Sequence, residues 1–202
     1  MRLQILFTCF AALASSAALA QFGNPGLLAP DTRMESPGKQ APNQTNTTDR
    51  LFAQLVTEGG LAEVAFGELA AEKAQDSMVG DFARRMIEDH SAANDQLAGI
   101  ANKSKIPLPD ALNAEHSIMR DRLKSLEGSA FDIAYMRGQV IDHQKTTQLL
   151  IWEIDYGQDP ELKHFASEKL PAILEHLAMA RSIVTDLAKA QFAQSKILPG
   201  DK

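Results

Sequence analysis

From about Thr48 onward, apolar residues recur every three or four positions, a spacing that predicts helices and no strands. Leu51, Phe52, Leu55, Ala62, Phe66, Leu69 and Ala70 make one face of a first helix running to about Gln75, with Gly59-Gly60 a weak point in it. Asp76 or Ser77 caps a second helix, in which Val79, Ala83, Met86, His90, Ala93, Leu97 and Ile100 alternate by four and three. Lys105-Ile-Pro-Leu-Pro109 ends it, and a shorter helix is expected from about Asp110 to Leu126. The stretch from Phe131 to Tyr156 carries two apolar stripes. One holds Phe131, Tyr135, Gly138, Leu149 and Trp152; the other holds Met136, Val140, His143, Thr147, Leu150 and Ile154. A helix with two apolar sides needs neighbours on both, so it belongs inside a bundle. Ser129-Ala-Phe-Asp132 reads as a capping box at its start, and Gly157 as its stop. Asp159-Pro160-Glu161 opens a last helix running to about Phe192, which Pro171 should kink. No internal repeat is visible beyond the shared helical period. The reading is all-α: a four-helix bundle with one short additional helix, spanning residues 48–192.

The ends of the chain are of another kind. Arg2, the apolar run Leu3 to Ala18 and the A-x-A site Ala18-Leu19-Ala20 form a secretory signal peptide over residues 1–20. Residues 21–47, with four prolines and an Asn/Gln/Thr run, form a flexible linker, and residues 193–202 a C-terminal tail. The one cysteine, Cys9, lies within the signal peptide, so the mature chain has no disulfide and no thiolate ligand. Removing residues 1–20 takes away Arg2 and no acid, leaving 19 Lys and Arg against 26 Asp and Glu. That net charge of −7 argues against nucleic acid as a partner, and no stable membrane insertion is expected after signal cleavage. The expected location is periplasmic or secreted.

Four of the five histidines, His90, His116, His143 and His176, fall on or beside the apolar stripes of four different helices, while His164 faces outward. Each of the four directly follows an acid: Asp89, Glu115, Asp142 or Glu175. Adjacent helix positions point about 100° apart, so each acid is placed to serve a histidine of another helix rather than its own. Neutral imidazoles projecting into one bundle core are how bundle metal sites are built. Met86 lies one turn before His90, and a His/Met set without thiolate favours copper, ahead of iron. The candidate ligands are His90, His143 and His176, with His116, Met86 and Glu63 as secondary candidates. The competing reading is structural: inward histidines bonded separately to Asp132, Glu63, Tyr135 or backbone carbonyls along the bundle. No phosphate-cradling glycine loop and no nucleophile–base pair is present, so no enzyme activity is expected.

The ordered set Leu61-Ala-Glu-Val-Ala-Phe-Gly67, Phe82-Ala-x-x-Met86-x-x-Asp89-His90, Gly128-x-x-Phe131-Asp132-x-x-Tyr135, His143 and Phe165-Ala-x-x-x-Leu170-Pro171-x-x-x-x-His176-Leu177 resembles a bacterial secreted family. It is known as domain of unknown function 4142 and is often labelled a predicted outer membrane protein family. The resemblance covers about Arg50 to Leu187 and implies a bacterial envelope protein with a ferritin-like bundle. Ferritin-like di-iron centres use Glu-x-x-His pairs. Here Ile87, Asn113, Val140 and Ile173 stand three before the histidines, so ferroxidase chemistry is not expected. Two functions are carried forward: a binding protein for a transition metal, or a non-catalytic envelope or stress-associated module whose buried His–carboxylate pairs hold the bundle together.

Overall fold

The computed structural model describes residues 46–197; the signal-peptide reading and most of the linker fall outside them. Five helices follow in order: α1 (Thr47–Lys73), α2 (Ser77–Ser104), α3 (Ala114–Lys124), α4 (Gly128–Tyr156) and α5 (Pro160–Ile197). Among the described residues there is no strand. Three-residue turns make α1–α2 and α4–α5 antiparallel hairpins. The start of α1 meets the end of α4, where Asp49 accepts the Gln158 and Asp159 amides. The end of α2 meets the start of α5, where Lys103 pairs with Glu161. Neighbouring helices around the square are therefore all antiparallel. It follows that α2 and α4 run the same way, so their connection must return along the bundle. That connection contains α3, which packs on α1 and α4.

Local chemistry sets most of the boundaries. Asp76 accepts the Met78 amide at the start of α2, and Asp159 accepts those of Glu161 and Leu162 at the start of α5. α3 begins at Ala114, later than the expected start near Asp110, because Asn113 caps it: its side-chain oxygen takes the His116 amide while its nitrogen donates to Glu58 of α1. Pro171 is accommodated without a break in α5, which continues to Ile197, five residues beyond the expected end. Gly128 enters α4 at φ 58°, a conformation that costs glycine little.

The capping-box reading of Ser129 and Asp132 is corrected. The residue before α4, Glu127, makes no side-chain cap. Asp132 is buried and reaches across to the α1–α2 turn, accepting the Gln75 and Asp76 amides at 3.1 and 2.9 Å. Those amides are satisfied by a buried carboxylate reaching across from α4, whereas the first turn of α4, exposed at Ser129 and Ala130, can use water. Asp49 serves the α4–α5 turn in the same way, so each hairpin is braced by an aspartate of the other. The likeness goes further. Asp49, Phe52 and Ala53 match Asp132, Tyr135 and Met136, and Asp76, Val79, Phe82 and Ala83 match Asp159, Leu162, Phe165 and Ala166, at one constant offset along the chain. The Phe52–Phe165 pair (6.4 Å, 68°) is repeated as Tyr135–Phe82 (6.3 Å, 71°). The bundle is thus a pseudo-repeat of two hairpins, which periodicity had hidden.

Each copy of this pattern anchors one apolar cluster. Phe66, Val79, Phe82, Met86, Phe131 and Tyr135 fill one end of the bundle; Phe52, Leu97, Leu150, Leu162 and Phe165 fill the other. Between them lies a layer that is polar.

Candidate metal centre

One residue from each long helix forms the middle layer: Glu63 of α1, His90 of α2, His143 of α4 and His176 of α5. All four are buried, with His143 and His176 at 1% exposure and His90 at 6%. The seams that read as apolar in sequence do carry these rings inward, because an i, i+3, i+4 face centred on an imidazole buries it with its neighbours. Ring centroids lie 5.4 to 5.8 Å apart in all three pairings. One nitrogen of each ring lies within 4.8 Å of the other two.

Hydrogen bonding gives each ring a direction. Nδ1 of His143 lies 2.9 Å from the Gln139 carbonyl, an acceptor, so this nitrogen carries the proton and Nε2 keeps a lone pair. Nε2 of His176 lies 2.8 Å from Oδ2 of Asp89, which fixes its proton there and frees Nδ1. Asp89 is steadied by Arg85, which also binds Glu175. The acid that precedes His90 thus serves the histidine of the adjacent helix. His90 Nε2, His143 Nε2 and His176 Nδ1 are buried without any hydrogen-bond partner. An orphaned buried polar atom costs about 1–3 kcal/mol, and each of these three clustered rings carries one.

Burial disfavours charge on every member of the layer. Burial pushes His90 down to about 3, with smaller contributions from His143 and His176. Burial also lowers His143 to about 4 against the opposing Gln139 carbonyl. In His176 burial outweighs the Asp89 carboxylate, again lowering it. Burial raises Glu63 to about 8, with the Asp142 charge adding and the Gln139 side chain opposing. Neutral imidazole is the form that ligates metals. Three nitrogens bound to one ion at about 2.0–2.1 Å sit about 3.3–3.6 Å apart in tetrahedral or trigonal geometry, so the widest pair, within 4.8 Å here, needs to close by up to roughly 1.5 Å.

The other candidates are placed differently. Glu63 Oε1 lies 3.6 Å from Nδ1 of His143, behind that ring and outside the three-nitrogen set. Met86 is buried in the apolar cluster one turn along α2, beside Phe82 and Tyr135. His116 is half-buried on α3 with its ring 6.0 Å from Phe66, and it is not among the three. Asp132 and Tyr135, named as possible histidine partners, lie against the α1–α2 turn and against Phe82 and Phe131. A second buried acid was missed: Glu153 near the end of α4 is buried beside Asp49, and that burial, with the Asp49 carboxylate, keeps it protonated. Its signal was its place three residues after Leu150. The two-stripe reading of α4 hid it, since the buried face is one stripe that includes Asp132, Gln139, His143 and Glu153.

A bundle with an unsatisfied tri-histidine layer defines the class; the sequence defines the family. The chain belongs to the family described as a domain of unknown function, DUF4142, whose model matches residues 34–183. No curated protein matches the chain. Two solved structures share its fold. One is a DUF305 fragment from Deinococcus radiodurans, 12% identical, with a TM-score of 0.63 over 71% of this chain and 99% of that one. The other is a DUF305 protein of Streptomyces coelicolor described as a candidate secreted protein, 11% identical, with a TM-score of 0.62 over 73% and 95%. Among the described residues no helix is long and apolar enough to cross a membrane.

Proposed function

We propose that this is a secreted or periplasmic protein that binds a transition metal, copper before iron, through His90, His143 and His176. The observation that carries the reading is the convergence of three buried imidazoles, each offering one nitrogen within 4.8 Å of the other two, and each with one ring nitrogen that has no hydrogen-bond partner. Purely structural histidines spend both ring nitrogens on hydrogen bonds or water, because leaving one bare is costly. Here each of three clustered rings keeps one nitrogen without a partner. Two of the rings are held from behind, by Asp89 and by the Gln139 carbonyl, as ligating histidines commonly are. An all-nitrogen set lacking thiolate and carboxylate suits copper better than the oxygen-rich site of a di-iron protein.

The competing reading, a bundle held by His–carboxylate pairs, draws support from the His176–Asp89 contact at 2.8 Å. The two separate cleanly in a thermal unfolding experiment on untagged mature protein with Cu, Fe, Zn or a chelator. A metal at 100 times its Kd adds about 2.7 kcal/mol of stability. The metal reading expects that gain with copper, lost in His143→Ala. If no metal shifts the transition, the histidines are scaffolding and the proposal fails.

A further inference from the structure

The likeness between the two hairpins runs through the middle of the bundle. The ends of α1 and α4, at Lys73 and Tyr156, and the starts of α2 and α5, at Ser77 and Pro160, obey the same offset that relates Asp49 to Asp132. Carried along the chain without insertion, that offset sets Gly60 against His143, Ala93 against His176, Ile173 against His90 and Thr146 against Glu63. Gly60, Ala93, Thr146 and Ile173 come one from each long helix. Each lies three residues from the member of the histidine layer on its own helix, always toward the Phe52–Phe165 end. They form a second layer, stacked on the first at about 4.5 Å, three residues at the helical rise.

All four line one cleft of about 30 Å³, with His90 on its border. Its walls match those of the histidine layer too. Phe165 in the cleft wall is the counterpart of Phe82, whose ring lies 6.2 Å from His143. Val56, also in the wall, is the counterpart of Gln139, whose carbonyl holds that same ring. What differs is the side chains at the centre. Where one layer carries three imidazoles, the other carries the hydrogen of Gly60, the methyl of Ala93 and the aliphatic chain of Ile173. Of its four residues only Thr146 offers a donor atom, a neutral hydroxyl. On the α1 side the space is partly taken by Asn94, which leans over Gly60 so closely that a Cβ there would collide with its Oδ1.

Resting on the metal reading above, we infer that the bundle carries the framework of two stacked metal layers and that this cleft is the second of them, without its ligands. The protein holds one ion where its backbone provides for two. Where a ligand points is set by the position and register of the rigid helix that carries it. Backbones that aim three imidazoles at a common point therefore aim Gly60, Ala93 and Ile173 at another.

The test measures copper(II) bound per chain after dialysis, and its EPR spectrum, in the full mature protein. The wild type is compared with Gly60→His/Ala93→His/Ile173→His, to which Asn94→Leu is added because Leu177 stands at the equivalent place beside the histidine layer. The expected result is one copper in the wild type and two in the variant. Two Cu(II) ions at about 4.5 Å couple, so the variant alone should show a half-field EPR transition. If that variant does not fold, Ala93→His/Ile173→His, which leaves Gly60 and Asn94 as they are, should still take a second copper with the same half-field signal. A folded variant that binds one copper, or a second without the half-field signal, overturns the second layer and leaves the native site standing. Two coppers in the wild type overturn it as well. Absence of bound copper in the wild type overturns both readings.

Discussion

Glu153→Gln should make this protein more stable at pH 8 and leave it unchanged at pH 4.5. Burial, then the charges of Asp49 and Asp159, lift the Glu153 carboxyl from 4.5 to about 8, with Lys163 opposing. The folded state therefore keeps a proton that the unfolded chain gives up above pH 4.5. Stability from this group is complete below pH 4.5 and is lost as pH rises toward 8. At 1.36 kcal/mol per pH unit the loss has a ceiling of about 5 kcal/mol. Relaxation around the site and an effective dielectric well above that of dry protein reduce this to about 1–3 kcal/mol. Glutamine has the same shape, cannot ionise, and can donate to Asp49, so it escapes the loss. For a domain of this size, 1 kcal/mol moves Tm by about 2–4 °C. Thermal unfolding followed by far-UV circular dichroism, on metal-free protein between pH 4.5 and 8.5, should show the two proteins diverging by roughly 3–10 °C at the alkaline end. A difference that is constant across the range, or absent at pH 8, would refute the assignment of a buried proton to Glu153.

Three further outcomes follow from the same geometry. Asp89→Asn, which removes the charged partner of His176, should weaken copper binding by about 10–100-fold, measured by competition with a chromogenic chelator, while metal-free Tm moves little because Asp89 is partly exposed. Asp132→Ala strips two turn amides of their buried acceptor and should cost about 1–3 kcal/mol in urea unfolding; Asp49→Ala should cost less, because it also relieves Glu153. In acid, the lowered His90 and His143 mean the unfolded chain takes up protons first, so metal-free stability present above pH 6.5 should fall as pH drops toward 4. His90→Gln should flatten that decline in a pH series of denaturant midpoints.

The helices were legible because each buries one face, and the four-and-three spacing of Val79, Met86, His90 and Leu97 has no other use. The caps at Asp76 and Asp159 were legible because they act within two or three residues. The three central histidines could be named as inward-facing, but not as neighbours. Whether they meet depends on the axial register of α2, α4 and α5, which short-range spacing does not carry. The same limit explains Asp132. Its position fits a local capping box, yet its partners Gln75 and Asp76 are more than 50 residues away. Helical period also masked the hairpin likeness, since Phe52 with Tyr135 and Val79 with Leu162 share character but not identity. His116 shows the opposite failure: its helical face looked equivalent, but α3 belongs to the connection and sits outside the four-helix core.

The exchanged aspartates have a consequence for how the chain comes together. Neither half owns the acceptor for its own turn, so an α1–α2 fragment made alone would leave the Gln75 and Asp76 amides bare, and an α4–α5 fragment those of Gln158 and Asp159. Mixing the two pieces supplies both acceptors at once. Cleavage anywhere between Ser104 and Ala114 should therefore yield halves that are poorly formed separately and regain helix only as a pair, with the histidine layer reassembled at the seam where they join.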